Sequence, residues 1–195
     1  MVVLSALKLT CERDGRVLFE HLDLDIEAGE VIELRGANGS GKTTLLRCLA
    51  GLTSDYEGEV ERAASLAYQG HRPGLNGLLS PLENLRWYAA LDGSDDDEAS
   101  LFAVLASVGL AGYELSLTQQ LSAGQQRRVA LARLRMNPAA LWILDEPLTA
   151  LDPSGCEVVA GAIEHHAATG GAVLYATHQS LDLAGAKQMV LGKTS

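Results

Sequence analysis

The fold is decided by the stretch Gly36-Ala37-Asn38-Gly39-Ser40-Gly41-Lys42-Thr43, which fits the phosphate-loop pattern G-x-x-x-x-G-K-[ST]. Small residues let backbone N–H groups converge on a polyphosphate, and the helix that follows points its positive end at the same phosphates. Lys42 is expected to reach the β and γ oxygens, the Thr43 hydroxyl to bind Mg²⁺, and Thr44 to join the nucleotide contacts. A chance glycine-rich turn is the alternative. The strand pattern Val31–Leu34 before the loop and the helix pattern Thr43–Ala50 after it disfavour that alternative.

A second stretch with chemistry is the apolar run Leu141–Leu144, which is followed by Asp145 and Glu146. A strand buried on both faces has no use for charge, so acids at its end mark a sheet edge where ligands bind. Asp145 is expected to hold Mg²⁺, directly or through water, and Glu146 to polarise the attacking water as general base. Two solvated acids would be the better interpretation in isolation, but the upstream phosphate loop favours the functional one.

The remaining pattern predicts an α/β fold. Two β-rich stretches, Val2–Thr10 and Val17–Ile26, flank the hairpin signal Asp14-Gly15, and β/α alternation resumes at Leu141 after an all-helical stretch. A β/α core with a helical interruption implies two lobes, with parallel strands in the larger one. We therefore expect a single domain over residues 1–195, with residues 1–74 and 138–195 as the nucleotide-binding core and about 75–137 as the insert. Further predicted elements are strands at Val60, Ser65–Tyr68, Ala172–Ala176 and Gln188–Leu191, and helices from a capping Ser80 to Leu91 and over Leu101–Val108, Ser122–Met136, Cys156–Ala168 and Leu181–Ala186.

Composition excludes several classes of protein. The chain has 195 residues, of which 47% are hydrophobic, and a formal net charge of −10. This charge argues against a non-specific nucleic-acid binder, which needs a basic face. Cys11, Cys48 and Cys156 form no C-x-x-C pair, so a disulfide framework or zinc site is not expected. No apolar run approaches the ~20 residues that span a bilayer, so we expect no direct membrane insertion.

The segment Leu121-Ser122-Ala123-Gly124-Gln125 resembles the LSGGQ signature of the ABC ATPases, with Ala123 in place of the first glycine. Ser122 can cap the following helix, and Gly124 lets a phosphate approach the backbone. The order of further motifs supports the resemblance, because Thr149–Asp152 resembles the D-loop and His178 resembles the switch histidine. The position of His178 after a core strand favours a contact with the γ-phosphate. An ordinary capped helix and a packed or surface histidine are the alternatives for these residues taken singly.

The resemblance covers nearly the whole chain and implies a P-loop NTPase (RecA-like) core that uses ATP and Mg²⁺. It implies a head-to-tail homodimer, in which Ser122, Gly124, Gln125 and Asp152 of one subunit approach the ATP of the other. It also implies an integral membrane permease as partner. Leu75–Leu79 and the helix with Trp87 and Tyr88 are candidates for the docking surface, and core packing is an equally good explanation of these residues.

A closer resemblance is to the CcmA family, the ATPase subunits of haem exporters in bacterial cytochrome c biogenesis. It is carried by Cys11–Asp14, Gly70–Leu75, Leu121–Leu134 and Leu141–Asp152. It implies partners similar to CcmB and CcmC, and a peripheral location on the cytoplasmic face of the inner membrane. Another small-substrate exporter and a soluble ABC ATPase of cofactor assembly are the alternatives. A P-loop kinase or GTPase would leave Leu121–Gln125 unexplained.

Two positions depart from the general ABC pattern. The adenine-stacking aromatic falls at Arg13, whose guanidinium can also stack on a base, with weaker or less base-selective binding as the consequence. The glutamine that the family places between the lobes, as a metal contact, is assigned to Gln69. Spacing to Glu83-Asn84 points instead to Arg72, or less well to His71, and an arginine there could not bind Mg²⁺.

Overall fold

The computed structural model describes residues 1–94, 97–179 and 181–192. The chain opens with a long antiparallel hairpin of β1 (Val2–Arg13) and β2 (Arg16–Glu27), and β4 (Glu57–Arg62) pairs with the other edge of β1. The predicted turn at Asp14-Gly15 is confirmed. Both residues have positive φ, 53° and 71°, as a two-residue turn matched to the strand twist requires.

A five-stranded sheet carries the predicted chemistry. It contains β3 (Val31–Arg35), β5 (Leu66–Gln69), β6 (Leu141–Asp145), β7 (Ala172–Ala176) and β8 (Lys187–Val190), in the order β5-β6-β7-β3-β8. The central strand β7 is parallel to β3 on one side and to β6 on the other, and its Ala176 aligns with both Leu34 and Asp145. The phosphate loop and the acid pair therefore leave the sheet at the same level.

The hydrophobic core of the nucleotide-binding part includes one face of each sheet and the helix α1 (Lys42–Leu49). Leu4, Ile26 and Leu34 from the strands and Leu45 and Leu49 from α1 are completely buried. Burying such side chains contributes roughly 1.5–3 kcal/mol each. The helix that begins at the phosphate loop is thus fixed by its own apolar face.

The described chain forms two compact units. The first contains Met1–Tyr68, Ala139–Glu146 and Ile163–Ser195, and the second contains Gln69–Pro138 and Pro147–Ala162. The helical insert expected at about 75–137 falls in the second unit, which also includes Pro147–Ala162. The helices are α2 (Pro81–Asp92), α3 (Glu98–Ser107), the short 3₁₀ turn Thr118–Gln120, α4 (Ala123–Met136) and α5 (Pro153–Ala168).

The predicted start of α2 is confirmed as a capping box. The Glu83 N–H donates to Ser80 Oγ at 3.2 Å, and the Ser80 N–H donates to the Glu83 carboxylate at 2.7 Å. These hydrogen bonds lower the pKa of Glu83. Nearby, the buried amide of Asn84 donates to the carbonyls of Asn76 and Ser80 and to Thr118 Oγ1. One side chain therefore holds the segment before the helix in place.

The predicted helix Leu181–Ala186 is wrong, because these residues form an irregular segment with a turn. Asp182 and Gly185 have φ values of 45° and 79°, which cannot belong to a right-handed helix. The acidic stretch Asp92–Glu98 is partly structural, since the Asp97 carboxylate accepts the Ser100 N–H and caps α3. Residues 95 and 96 lie outside the described part. No helix among the described residues has both the length and the apolar character that crossing a membrane requires.

Candidate nucleotide site

The phosphate loop has the geometry that its glycines predict. A Cβ added at Gly36 would lie 2.3 Å from the Leu191 carbonyl oxygen and 2.6 Å from Ser40 Oγ, so a larger residue does not fit. Gly41 is the N-cap of α1 with a φ of 99°, which favours glycine. The first turn of α1 contains no acidic residue that would compete with an anion for its N–H groups. The sequence thus folds locally into an anion site at a helix start.

Lys42 lies inside this loop. Its side-chain Nζ donates to the carbonyls of Gly36 and Ala37, at 2.7 and 3.1 Å, and the residue is only 7% exposed. The Ser40 hydroxyl is buried and makes no hydrogen bond within the described residues. A buried ammonium group and a buried hydroxyl beside converging N–H groups are the donors that a phosphate accepts from. The loop therefore fits a triphosphate.

Thr43 and Asp145 meet at the mouth of the loop. The Thr43 hydroxyl donates to Asp145 Oδ1 at 3.1 Å, and Asp145 is 2% exposed at the end of β6. The neighbouring Tyr68 has its pKa raised to about 12 by burial and by the Asp145 carboxylate. Mg²⁺ prefers oxygen ligands such as hydroxyl and carboxylate groups. In nucleotide sites the protein usually supplies one or two of these ligands, and the phosphates supply others. In the described residues no group of three or more His, Cys, Asp or Glu could hold a metal alone.

Glu146 and His178 are brought together although they follow different strands. Glu146 Oε1 lies 3.1 Å from His178 Nε2, and Glu146 Oε2 accepts the His178 backbone N–H at 3.4 Å. Glu146 has a φ of 54°, and its own N–H donates to the carbonyl of Ala176, the last residue of β7, at 2.8 Å. The neighbouring Asp145 carboxylate accepts the Thr43 hydroxyl instead, so the two adjacent acids have different partners. A strained, positive φ in a non-glycine residue is typical of functional sites.

Arg13 lies beside the phosphate loop. It lines a cavity of about 220 Å³ together with Thr43 and Thr44 at the first turn of α1. The structure therefore places Arg13 close to the first turn of α1, which follows the phosphate loop. Its stacking role stays a prediction.

The signature segment begins α4 with a second capping box. The Gln125 N–H donates to Ser122 Oγ at 3.2 Å, and the Ser122 N–H donates to Gln125 Oε1 at 2.9 Å. A Cβ added at Gly124 would lie 2.8 Å from the carbonyl of Ala150, so only glycine allows this approach. The contacts of Ser122, Gly124 and Gln125 with nucleotide stay predictions. The cap itself accounts for the spacing of Ser122 and Gln125.

Asp152 makes structural hydrogen bonds that its sequence motif did not predict. Its Oδ1 accepts the Gly155 N–H at 2.9 Å, in the first turn of α5, and an N–H of Arg128 at 2.8 Å. The Gly155 hydrogen bond and the Arg128 guanidinium lower the pKa of Asp152. Asp152 thus joins α5 to the signature helix, and its predicted nucleotide contact is untested.

Gln69 is buried at the end of β5. Its Oε1 accepts an N–H of Arg133, and its Nε2 donates to the carbonyls of Gly70 and Arg72, all at 3.2 Å. These contacts occupy the amide, and its role as a metal ligand stays a prediction. The side chains of the alternatives His71 and Arg72 are exposed.

Arg127, which the sequence analysis did not single out, holds the same segment. It is buried, and it donates to the carbonyls of Gly70 and His71 at 3.2 and 2.8 Å. The only sequence signal was an arginine within the amphipathic pattern of α4.

The sequence profile of ABC transporters matches residues 19–149 of the chain, which include the phosphate loop, the signature and the acid pair. The chain belongs to the ABC transporter family. As a member of this family it binds ATP and hydrolyses it.

Curated relatives of this ABC protein agree with one another in name. The cytochrome c biogenesis ATP-binding export protein CcmA of Yersinia pestis is 49% identical over 191 residues, covering 92% of this chain and 87% of its own. The protein of that name from Hahella chejuensis is 45% identical over 206 residues, covering 99% and 97%.

Solved structures support the fold. An ABC transporter ATP-binding protein from Pyrococcus furiosus has a TM-score of 0.85 at 24% identity, with 96% of each chain covered. The ATP-binding subunit of another ABC transporter has a TM-score of 0.85 at 22% identity, covering 97% of this chain and 85% of its own.

Proposed function

We propose that this ABC protein is the Mg²⁺-dependent ATPase subunit of an exporter used in bacterial cytochrome c biogenesis. The observation that carries the catalytic part is the meeting of three strand ends. The ends of β3, β6 and β7 supply the phosphate loop, the Asp145-Glu146 pair and His178, as phosphoryl-transfer chemistry needs them. The physiological role is supported by relatives at 44–49% identity that are named as CcmA export proteins.

In this proposal the chain positions the triphosphate rather than reacting with it covalently. Backbone N–H groups and Lys42 stabilise the negative charge on the phosphates, and Thr43 and Asp145 would hold the Mg²⁺. When bound, Mg²⁺ neutralises charge on the β and γ oxygens. Glu146 accepts a proton from the attacking water, and His178 keeps the Glu146 carboxylate oriented.

We propose a head-to-tail homodimer as the active form. The start of α4 is a second helix N-terminus, and its N-cap residue Ser122 is exposed. A helix start of this kind binds anions. In the dimer, Ser122, Gly124 and Gln125 of one protomer contact the triphosphate held by the other, so that ATP joins the two copies.

The partner is proposed to be an integral membrane permease similar to CcmB, with a CcmC-like protein, at the inner membrane. Within the helical unit, Leu78 is 70% exposed and Trp87 is 52% exposed. Tyr88 is different, because its hydroxyl donates to the Gly74 carbonyl and its ring lies 4.4 Å under the Arg133 guanidinium. Leu78 and Trp87 are therefore better docking candidates than Tyr88, which supports its own unit.

Haem is the cargo in this proposal, and its selection belongs to the membrane partner. The sequence has no C-x-x-C-H segment for covalent haem attachment. The role of the chain is then to couple ATP turnover to movement of a molecule that it does not itself bind.

Complementation tests the physiological proposal. The chain is expressed in a bacterium that lacks its own CcmA, and periplasmic c-type cytochromes are measured by haem staining. The wild-type chain should restore them, and Lys42→Ala, which loses the phosphate cation, should not. If the purified chain hydrolyses ATP but fails to restore cytochromes alongside its native permease, the export role is wrong and the ATPase assignment survives.

A further inference from the structure

The cavity beside the phosphate loop contains unusual groups for a nucleobase site. It adjoins Thr43 and Thr44, one and two residues after Lys42 of the phosphate loop, and it includes Arg13, the residue that the family resemblance aligns with the adenine-stacking position. Among the described residues, no aromatic side chain lines the cavity. Its walls contain two guanidinium groups and one carboxylate. The lining residues are Cys11, Arg13, Thr43, Thr44, Arg47, Leu52, Thr53 and Asp55.

Asp55 is held by its backbone and leaves its carboxylate available. Its N–H donates to Thr53 Oγ1 at 3.2 Å, and its carbonyl accepts the Cys11 thiol at 3.3 Å. Among the described residues, none of the hydrogen bonds or ion pairs uses the Asp55 carboxylate. Burial raises the pKa of the Cys11 thiol, and the nearby Asp55 charge raises it further. The carboxylate therefore lies by the cavity wall that β1 supplies.

These groups match a guanine better than an adenine. Guanine offers two N–H donors side by side, N1–H and the 2-amino group, which one carboxylate can accept together. Its O6 and N7 are two acceptors that one guanidinium can donate to. Adenine offers a single amino group on its edge, so it would make one hydrogen bond with the carboxylate and accept one from the guanidinium. Without an aromatic ring, stacking from Arg13 favours no particular base, because every base has a π face.

We propose that Asp55 and Arg47 read the edge of the nucleobase, with Arg13 stacked on its face, and that this protein accepts GTP as a substrate comparable to ATP. This inference rests on the proposed function of the phosphate loop and refines the nucleotide that the loop holds. Asp55 is the specificity-determining residue, since it alone accepts from the guanine 2-amino group.

The test compares ATP, GTP and ITP, whose hypoxanthine base is guanine without the 2-amino group. The kcat/KM of the wild-type chain for GTP should lie within about tenfold of that for ATP, and its kcat/KM for ITP should be lower than that for GTP. In Asp55→Asn, the kcat/KM for GTP should fall about tenfold or more while the kcat/KM for ATP changes little. GTP and ITP should then have equal kcat/KM values. Asp25→Asn, an exposed acid on β2, is the matched control and should leave all three ratios unchanged.

Binding measured by calorimetry with Mg²⁺ withheld gives a readout that does not depend on hydrolysis. A GTP affinity about 100-fold or more below that of ATP in the wild-type chain would overturn the inference. An equal GTP-to-ITP ratio in the wild-type chain would also overturn it, and this comparison needs no variant to fold. Loss of all nucleotide hydrolysis with the GTP preference over ITP retained would contradict the proposed ATPase mechanism instead.

Discussion

The Thr43 hydroxyl donates a hydrogen bond to the Asp145 carboxylate across 3.1 Å, although the two residues are 102 positions apart in the sequence. Thr43 lies in the first turn of α1, and Asp145 is the last residue of β6. The hydrogen bond places two oxygen atoms side by side next to the phosphate loop, where they would hold Mg²⁺. This relationship leads to the first prediction.

Asp145→Asn should separate magnesium use from nucleotide binding. Asparagine keeps the shape and an oxygen acceptor for Thr43 but removes the charge, so ATP binding with Mg²⁺ withheld should stay within about threefold of wild type. Mg²⁺-dependent hydrolysis should fall at least about 100-fold, the scale of losing one charge-stabilising group. Calorimetry and phosphate release measure the two effects. Equal loss of both would mean that Asp145 supports the loop rather than the metal.

Glu146→Gln should trap the protein with ATP bound. Glutamine cannot accept the proton of the attacking water, so turnover should fall at least about 100-fold, while binding persists. Size-exclusion chromatography with ATP should then show a dimer that the wild-type chain forms only transiently. Glu164→Gln, an exposed acid on α5, serves as control. Unchanged turnover in Glu146→Gln would remove Glu146 as the base.

Ser122→Arg should abolish hydrolysis while a single protomer still binds ATP. The arginine adds bulk where the signature of one copy would approach the ATP of the other, but it lies on a different motif from the phosphate loop. Ser122→Thr keeps a hydroxyl cap for the Gln125 N–H and should retain most activity. Full activity of Ser122→Arg would argue against the sandwiched dimer.

Much of the fold and the site could be predicted because their signals are local. The glycines of the phosphate loop, the caps at Ser80 and Ser122 and the turn at Asp14-Gly15 each need particular residues at fixed spacing, and the structure confirms these elements. The Leu181–Ala186 pattern was misleading, because its apolar spacing does not reveal the positive φ of Asp182.

Contacts between distant side chains could not be predicted in the same way. An arginine in an amphipathic helix carries no sign that it will hold a particular loop, as Arg127 holds the carbonyls of Gly70 and His71. The stacking of Trp142 on His166 and the hydrogen bonds from Arg62 to the end of α1 are likewise contacts between residues distant in sequence. Their partners are set by the register of strands and helices, which only the folded chain defines. Two further predictions depend on these contacts.

The stability of the protein should fall in mild acid because of His166. Its ring stacks on Trp142 with centroids 4.0 Å apart and planes 7° from parallel, and burial lowers its pKa below the ordinary 6.5. As the pH falls through about 6.5, His166 is protonated in the unfolded chain but stays neutral in the folded chain. The free energy of unfolding therefore decreases. Above that pH both states are neutral, and the group has no effect.

His166→Phe tests this pH dependence, because phenylalanine keeps a ring against Trp142 without a titrating group. The decrease in Tm between pH 7.5 and pH 5.5 should be smaller in His166→Phe than in the wild-type chain. His71→Asn, at an exposed histidine, should show the wild-type loss. Parallel Tm profiles for the wild-type chain and His166→Phe would contradict the prediction.

Arg62 should be required for the stability of the helix that carries the phosphate loop. Its Nε donates to the Leu49 carbonyl and a terminal N–H to the Cys48 carbonyl, both at 2.7 Å, at the end of α1. As carbonyls of the last turn they have no i+4 partner inside α1, although the Cys48 carbonyl also accepts the Gly51 N–H at 3.0 Å, and a cation there also favours the helix dipole. Arg62→Met keeps much of the apolar stem but removes both bonds. It should lower the free energy of unfolding by about 1.5–3 kcal/mol, the range for hydrogen bonds to charged groups.

Urea denaturation of the Arg62 variants, with and without ATP, measures this effect. Arg62→Lys, which can donate but not with a planar fork, should fall between Arg62→Met and the wild-type chain. Arg16→Met, at an exposed arginine of the hairpin, should cost less than about 0.5 kcal/mol. ATP should still stabilise Arg62→Met, because the start of α1 is intact and only its end has lost a cap. If Arg62→Met unfolds at the same urea concentration as Arg16→Met, the guanidinium is not what stabilises the end of α1.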